Sequence, residues 1–361
     1  VPVVVSPGSL PNGTVGAGYS QTITASGGVA PYSLAVTAGA LPTGLTLTGG
    51  TLSGTPTATG VFNFTVTATD SSGAPGPFSG SQVYALTIVS PPIVANDDTG
   101  AAAVNGYTGG TAYADVLAAN GNGPDTLAGV PATLATVSLS QLATTDPRVT
   151  LNLATGAVVV APATPAGSYT VTYEICQAVD PANCAAAIAE VSVSAAAIAA
   201  LDDVNAPIIS TVTGGTAYAN ILGDNGNGPD TLNGAAATFA NVVVTSSTSS
   251  NPGVTLNPAT GRINVAVATP VGSQSVNYTI CEQLNPTNCA SAVASVTVID
   301  IPPVAGPVTL TVPYGAGATN VPLAISGGVP TSVNEVTPSL NGTVIASGTT
   351  ITYQPNPGYA G

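Results

Sequence analysis

Apolar and polar residues alternate with a period of two along much of this chain. In VFNFTVTATD, Phe62, Phe64, Val66 and Ala68 fall on one face while Asn63, Thr65, Thr67 and Thr69 fall on the other, which is the pattern of a half-buried strand. SYTVTYEIC repeats the device with Tyr169, Val171, Tyr173 and Ile175 inward, and YALTIV does so with Tyr84, Leu86 and Ile88. Turn chemistry such as SGTPTATG, NPATG and TGG cuts the strands roughly every 8 to 12 residues, with glycine supplying positive φ and proline fixing φ. The pattern predicts an all-β chain of sandwich type.

One internal repeat is strong and free of gaps. TGGTAYA at 108–114 recurs at 213–219, NGNGPDTL at 120–127 recurs at 225–232, and Cys176 and Cys184 recur as Cys281 and Cys289. A duplication of this length implies two tandem copies of one domain. Proline pairs and repeat phase set the expected boundaries: a first domain over 1–91, two copies of the repeat over 92–197 and 198–301, and a fourth unit over 302–361. The fourth unit is short for a sandwich that takes about 100 residues. Short linkers between such beads predict a stiff, elongated rod.

Composition narrows the chemistry. Among 361 residues only 5% are charged against 44% hydrophobic, and 42 glycines and 31 prolines exclude long helices. Arg148 and Arg262 are the sole cations, and a net charge of -14 gives nucleic acid nothing to meet. No run reaches the roughly 20 apolar residues that span a bilayer, so no membrane insertion is expected of this segment. With no methionine, the chain reads as a processed product or an excerpt.

The residues are specific enough to place. GTVGAGYSQTITASGGVAPYSLAVTAGALPTGLTLTGGTLSGTPTATGVFNFTVTATDSSG resembles the immunoglobulin-like domain family of bacterial surface proteins across nearly all of 1–91. PAGSYTVTYEICQAVDPANC and PVGSQSVNYTICEQLNPTNC resemble tandem repeats of large secreted or surface proteins of Gram-negative bacteria, and GTTITYQPNPGYAG is similar to bacterial cadherin-like modules. The resemblance implies tandem immunoglobulin-like β-sandwich domains with a role outside the cytosol. Such modules are general scaffolds, so the fold alone does not fix the function.

Each cysteine pair flanks a seven-residue loop after a strand, the spacing of a clasp across a hairpin mouth. A disulfide within Cys176 and Cys184, and within Cys281 and Cys289, is the first expectation; free thiols or a metal or redox role are the alternatives. A four-cysteine zinc site would need both pairs together, whereas tandem domains hold equivalent points roughly 30 Å apart. Disulfides would place the chain in an oxidising, extracellular setting.

Asp97, Asp98, Asp202 and Asp203 stand near the expected junctions, each pair followed by an oxygen-rich loop: Asn120, Asn122 and Asp125, then Asp224, Asn225, Asn227 and Asp230. Ca²⁺ takes six to eight oxygen ligands, so calcium stiffening a linker is one reading of these residues; plain turn residues are the other. No cofactor is required on either reading.

Enzyme chemistry is poorly supplied. Without histidine or lysine there is no Ser-His-Asp triad, Schiff-base lysine or P-loop lysine. The glutamates Glu174, Glu190, Glu282 and Glu335 are scattered, and solvated surface positions are expected for them. VPVVVS at the N-terminus, with Val1, Val3, Val4 and Val5, has the character of a strand that could complete the open edge of a fourth unit in a neighbouring copy, which would join identical subunits head to tail. The sequence therefore points to a non-enzymatic stalk, adhesin repeat or filament subunit at a bacterial surface. Host or surface glycans or proteins are the other expected partners. A carbohydrate-binding or accessory module of a larger secreted protein is the alternative.

Overall fold

A computed structural model describes residues 1–359, and these are all strand, turn and loop. Among them no helix is long and apolar enough to cross a membrane. The chain divides into two compact units, Val1–Ala195 and Ala196–Gly361.

The first unit holds two sandwiches in sequence. In the first, a four-stranded sheet runs in the order Gly13–Thr14, Ser79–Val89, Gly60–Thr69, Ser33–Gly39, facing a three-stranded sheet of Tyr19–Thr22, Thr51–Gly54 and Leu45–Thr48. The period-two alternation is realised directly: Phe64, Val66 and Ala68 are buried, as are Tyr84, Leu86 and Ile88 on the neighbouring strand. Leu52 from the opposite sheet closes the core at 0% exposure. The strand Val4–Ser6 pairs antiparallel with Thr24–Ser26, and Val3 and Val5 are buried in this same core.

The second sandwich, the first copy of the repeat, pairs Val104–Asn105, Asp180–Ser194, Gly167–Gln177 and Val137–Thr144 in one sheet and Gly110–Tyr113, Val158–Val160 and Val149–Leu151 in the other. Val171, Tyr173 and Ile175 point into its core against Val149, Val158 and Ala189. The long antiparallel hairpin Gly167–Gln177 to Asp180–Ser194 sets Cys176 directly opposite Cys184.

The second unit repeats this arrangement. Its four-stranded sheet is Ile209–Ser210, Cys289–Ile299, Gly272–Glu282 and Val242–Ser249, with Gly215–Tyr218, Arg262–Val265 and Val254–Asn257 opposite. Val276, Tyr278 and Ile280 fill the places of Val171, Tyr173 and Ile175. Beyond Ile299 the strands are sparser: Val304–Gly306 pairs with Ala324–Ser326, and Thr319–Asn320, Thr350–Pro355 and Gly342–Ser347 form a three-stranded sheet. Val336 and Leu340 are more than 90% exposed, and among the described residues the buried core clusters stop at Val298.

Candidate functional site

The strand Gly167–Gln177 carries Tyr173 into the interior of the first repeat, because inward positions alternate and this one falls opposite a loop rather than another strand. The Tyr173 hydroxyl lies 3.1 Å from the Asn96 carbonyl oxygen, 3.3 Å from that of Val116 and 3.1 Å from Asp125 Oδ2. A single phenolic proton thus faces three acceptors. Asp125 is fully buried, and its Oδ1 accepts the Asn96 N–H at 2.7 Å. Asp98, 1% exposed, accepts from Asn120 Nδ2 at 2.7 Å through Oδ1, whereas its Oδ2 has no hydrogen-bond partner.

Burial governs the electrostatics of this centre. Desolvation pushes the Asp98 carboxyl up to about 7 against the opposing pull of Asn120, and the Asp125 and Asp115 charges raise it further. Asp125 is likewise pushed up to about 6 by burial, although the Asn96 N–H and Tyr173 favour its ionised form. The Tyr173 phenol is raised by burial first and then by the two carboxylates.

The second repeat reproduces the centre. Tyr278 stands 3.1 Å from the Leu201 carbonyl oxygen and 3.3 Å from Asp230 Oδ2, and Leu201 N–H donates to Asp230 Oδ1 at 2.7 Å. Asn225 Nδ2 donates to Asp203 Oδ1 at 2.5 Å, and Asp203 Oδ2 again lacks a partner. In both copies the network ties the incoming segment, at Asn96 or Leu201, to the central strand of the sandwich.

A second contact to the incoming segment comes from the cysteine loop. Cys176 and Cys184 form a disulfide with a Cα–Cα distance of 4.1 Å, and Cys281 and Cys289 form its twin at the same distance. Inside the first loop, Asn183 Nδ2 donates to the Pro91 carbonyl oxygen at 2.9 Å and to Gln177 Oε1 at 3.0 Å, while Gln177 Nε2 reaches the Val15 carbonyl oxygen at 3.4 Å. Ser90 Oγ donates to Asp180 Oδ2 at 2.7 Å. Gly16, at φ +78°, lets this loop approach: a Cβ there would lie 3.3 Å from both Gln177 Nε2 and Val179 Cγ2. In the second repeat Asn288 Nδ2 donates to the Ala196 carbonyl oxygen and to Glu282 Oε2, each at 2.7 Å.

The residues singled out as calcium ligands come together within each repeat, where their oxygens already serve protein donors. Asp97 Oδ1 accepts the Ile188 N–H at 2.8 Å, and Asn122 Nδ2 donates to the Asp97 carbonyl oxygen at 2.9 Å. Asp202 accepts from Val293 N–H and Asn227 donates to the Asp202 carbonyl oxygen in the same way. Asp224 Oδ1 accepts from the Gly226 and Gly228 amides. Only Asp97, Asp202 and Asp224 among these aspartates present solvent-exposed residues, since Asp98, Asp125, Asp203 and Asp230 are buried.

Two expectations need correction. Glu282 is not a solvated surface acid: it is 0% exposed, and its Oε1 has no hydrogen-bond partner. It stands where the first repeat has Gln177, inside the loop contact, and Glu174 is matched by Thr279. The strand around Val3–Val5 is also already engaged, paired with Thr24–Ser26 in its own sandwich, so donating it to a neighbour would first require opening that core. Tyr173, Gln177 and Asn183 were missed as functional partners. The signal was present in the identical spacing of Tyr173 and Tyr278 from their aspartates, but an inward tyrosine in an alternating strand reads as core.

Residues 1–89 match the model of the family described as "Putative Ig domain". No curated protein matches the chain. Solved structures with similar arrangements include mouse cadherin-23 EC22-24, 12% identical with a TM-score of 0.32, covering 83% of this chain and 99% of that one. The titin I-band fragment I67-I69 is 13% identical with a TM-score of 0.32 and the same two coverages, 83% and 99%. The human desmocollin-1 ectodomain is 8% identical with a TM-score of 0.31, covering 99% of this chain and 74% of that one. Among the described residues the chain is all-β, with three sandwiches in series up to Ile299, and the first of them, over residues 1–89, matches the "Putative Ig domain" family.

Proposed function

We propose that the chain is a non-enzymatic structural segment of a bacterial extracellular stalk, surface fibre or adhesin, secreted or held at the cell surface. The observation that supports this reading best is the duplicated tie between each repeat and the segment entering it, made by a buried Asp–Tyr–Asp centre and a disulfide-closed loop. The Tyr–Asp centre fastens each repeat's own leading segment, and in the first unit the cysteine loop also reaches the preceding domain through Asn183 to Pro91 and Gln177 to Val15, a tie that suits a load-bearing spacer. The absence of histidine and lysine leaves few routes to catalysis. The exposed Asp97, Asp202 and Asp224 offer calcium a stiffening role, and calorimetry with millimolar Ca²⁺ after chelation tests that part; no heat and no thermal shift would remove it. Low-dose electron micrographs of native material test the whole: fibres or slender particles are expected, and compact globules would overturn the reading.

A second reading, carbohydrate binding, is favoured by one feature. Tyr314, Tyr353 and Tyr359 line a single cleft of about 540 Å³ together with Pro313 and Pro355. Aromatic faces stack on sugar rings, so a glycan array with hits abolished by Tyr314→Ala would support this role, and an array without hits would dismiss it.

A further inference from the structure

We infer that the hairpin of the first repeat is a thiophilic metal site when its disulfide is open, in which Glu174, Cys176 and Cys184 together hold one divalent cation of the zinc class. Glu174 and Cys176 lie two residues apart on one strand, so their side chains share a face, and Cys184 is the direct cross-strand neighbour of Cys176. The Glu174 carboxylate oxygen and the two sulfurs all lie within 4.8 Å of one another, each from a half-buried residue. Among the described residues this is the one place where three such ligands converge. Two thiolates and a carboxylate on one face supply three of the four positions of a tetrahedral zinc site, with water for the fourth.

The closed disulfide offers no thiolate, so the site depends on reduction. A phosphine attacks one sulfur, the S–S bond breaks, water supplies the oxygen that leaves on the phosphine oxide, and both sulfurs end as thiols. An external dithiol delivers the same two electrons and two protons and leaves as its own disulfide. Cation binding then displaces the two thiol protons and forms two metal–sulfur bonds of about 2.3 Å and one bond to the carboxylate oxygen. The cation closes the same loop that the disulfide closes, and with it the contacts of Asn183 to Pro91 and of Gln177 to Val15. This site does not depend on the stalk reading.

The second repeat is a control within the same chain. Thr279 occupies the position of Glu174, and its hydroxyl is paired with Ser291 Oγ at 2.8 Å, so no carboxylate shares a strand face with Cys281 and Cys289; Glu282, next to Cys281 in the chain, falls on the opposite face, where Asn288 donates to it. The test uses the full chain reduced with a phosphine without oxygen, titrated with Co²⁺ by its sulfur-to-metal absorption and then displaced with Zn²⁺. One tight equivalent per reduced chain and none in the oxidised chain are expected. Glu174→Gln should weaken it by at least about tenfold, a loss that even an outer-shell partner can bring, and Thr279→Glu should add a second equivalent. Two equal sites in the reduced wild-type chain, a site indifferent to Glu174→Gln, or no site at all would overturn the inference. Circular dichroism of the reduced chain accompanies the titration; a chain that unfolds on reduction would expose two equivalent dithiols and show equal sites, which also counts against it.

Discussion

Tyr173 and Asp125 meet in the interior of the first repeat, the phenol oxygen 3.1 Å from Asp125 Oδ2, and Tyr278 meets Asp230 at 3.3 Å in the second. All four residues are at most 1% exposed. A buried carboxylate must be fully hydrogen-bonded or must hold a proton. Asp125 satisfies the first condition through Asn96 and Tyr173, whereas Asp98, beside it, leaves Oδ2 bare. The pair therefore binds the incoming chain segment at an electrostatic cost that varies with pH.

That cost sets the first prediction. Folded Asp98 and Asp203 are raised to about 7, and Asp125 and Asp230 to about 6, by burial, from an ordinary value of 3.8. Between these limits the folded repeats hold protons that the unfolded chain has released, so their stability falls as pH rises from about 4 through 7. Asp70 and Asp146 have the opposite sign: hydrogen bonds from Ser72 and Arg148 respectively hold them down to about 2, and what they contribute is lost as pH falls through that value. Thermal melts should place the repeats' midpoint higher near pH 4.5 than near pH 8 by about 5 °C or more. A midpoint that climbs steadily to pH 8 would contradict the buried-carboxyl account.

Removing the phenol hydroxyl isolates the same contact. Tyr173→Phe keeps the ring in the core but leaves Asp125 Oδ2 and the Asn96 carbonyl without their donor, a loss of about 1–3 kcal/mol. Tyr278→Phe should cost less, because its contacts to Asp230 and Ile221 are longer, at 3.3 and 3.5 Å. Urea midpoints of the two variants, with hydrogen exchange on Gly167–Gln177 and Gly272–Glu282 to assign the change to its repeat, check the order.

How far the sequence was legible depends on the range of the interaction. Period-two alternation placed Phe64, Val66, Tyr84 and Leu86 inside without any tertiary information, because a strand's two faces are fixed by its own backbone. The cysteine spacing pointed to a clasp for a similar local reason, since eight residues of separation fit one hairpin. Glu282 was misplaced as exposed, and nothing local marked Asp98 as buried, because the burial of both comes from distant partners. Asp98 is covered by strand and loop residues as far along the chain as Ile188 and Ala189, and Glu282 by a loop folded over the chain entering the domain. Polar residues near a junction look solvated until the fold is closed over them.

The disulfides bear on the joint as well as on the sandwich. Closing a loop of about nine residues contributes roughly 2.5 kcal/mol in the chain-entropy model. Cys176→Ser with Cys184→Ser should therefore lower stability by about that amount, and should also raise hydrogen exchange within loop 177–183, whose Gln177 and Asn183 hold Val15 and Pro91. Loss of stability without any change in the loop would separate the clasp from the joint.

Glu282 and Gln177 supply the last prediction, because the duplication has already performed the substitution. Both are buried and both accept a hydrogen bond from the loop asparagine, Asn288 or Asn183. Gln177 spends its amide nitrogen on the Val15 carbonyl oxygen, while Glu282 buries a carboxylate with Oε1 unbonded. Glu282→Gln keeps the acceptor for Asn288 and removes the buried carboxylate, so it should stabilise the second repeat by about 1 kcal/mol or more. Gln177→Glu should act in reverse, setting a carboxylate oxygen against the Val15 carbonyl and loosening the first joint. Melting midpoints of the two exchanges should move in opposite directions. If both fell together, side-chain shape rather than charge would govern this position.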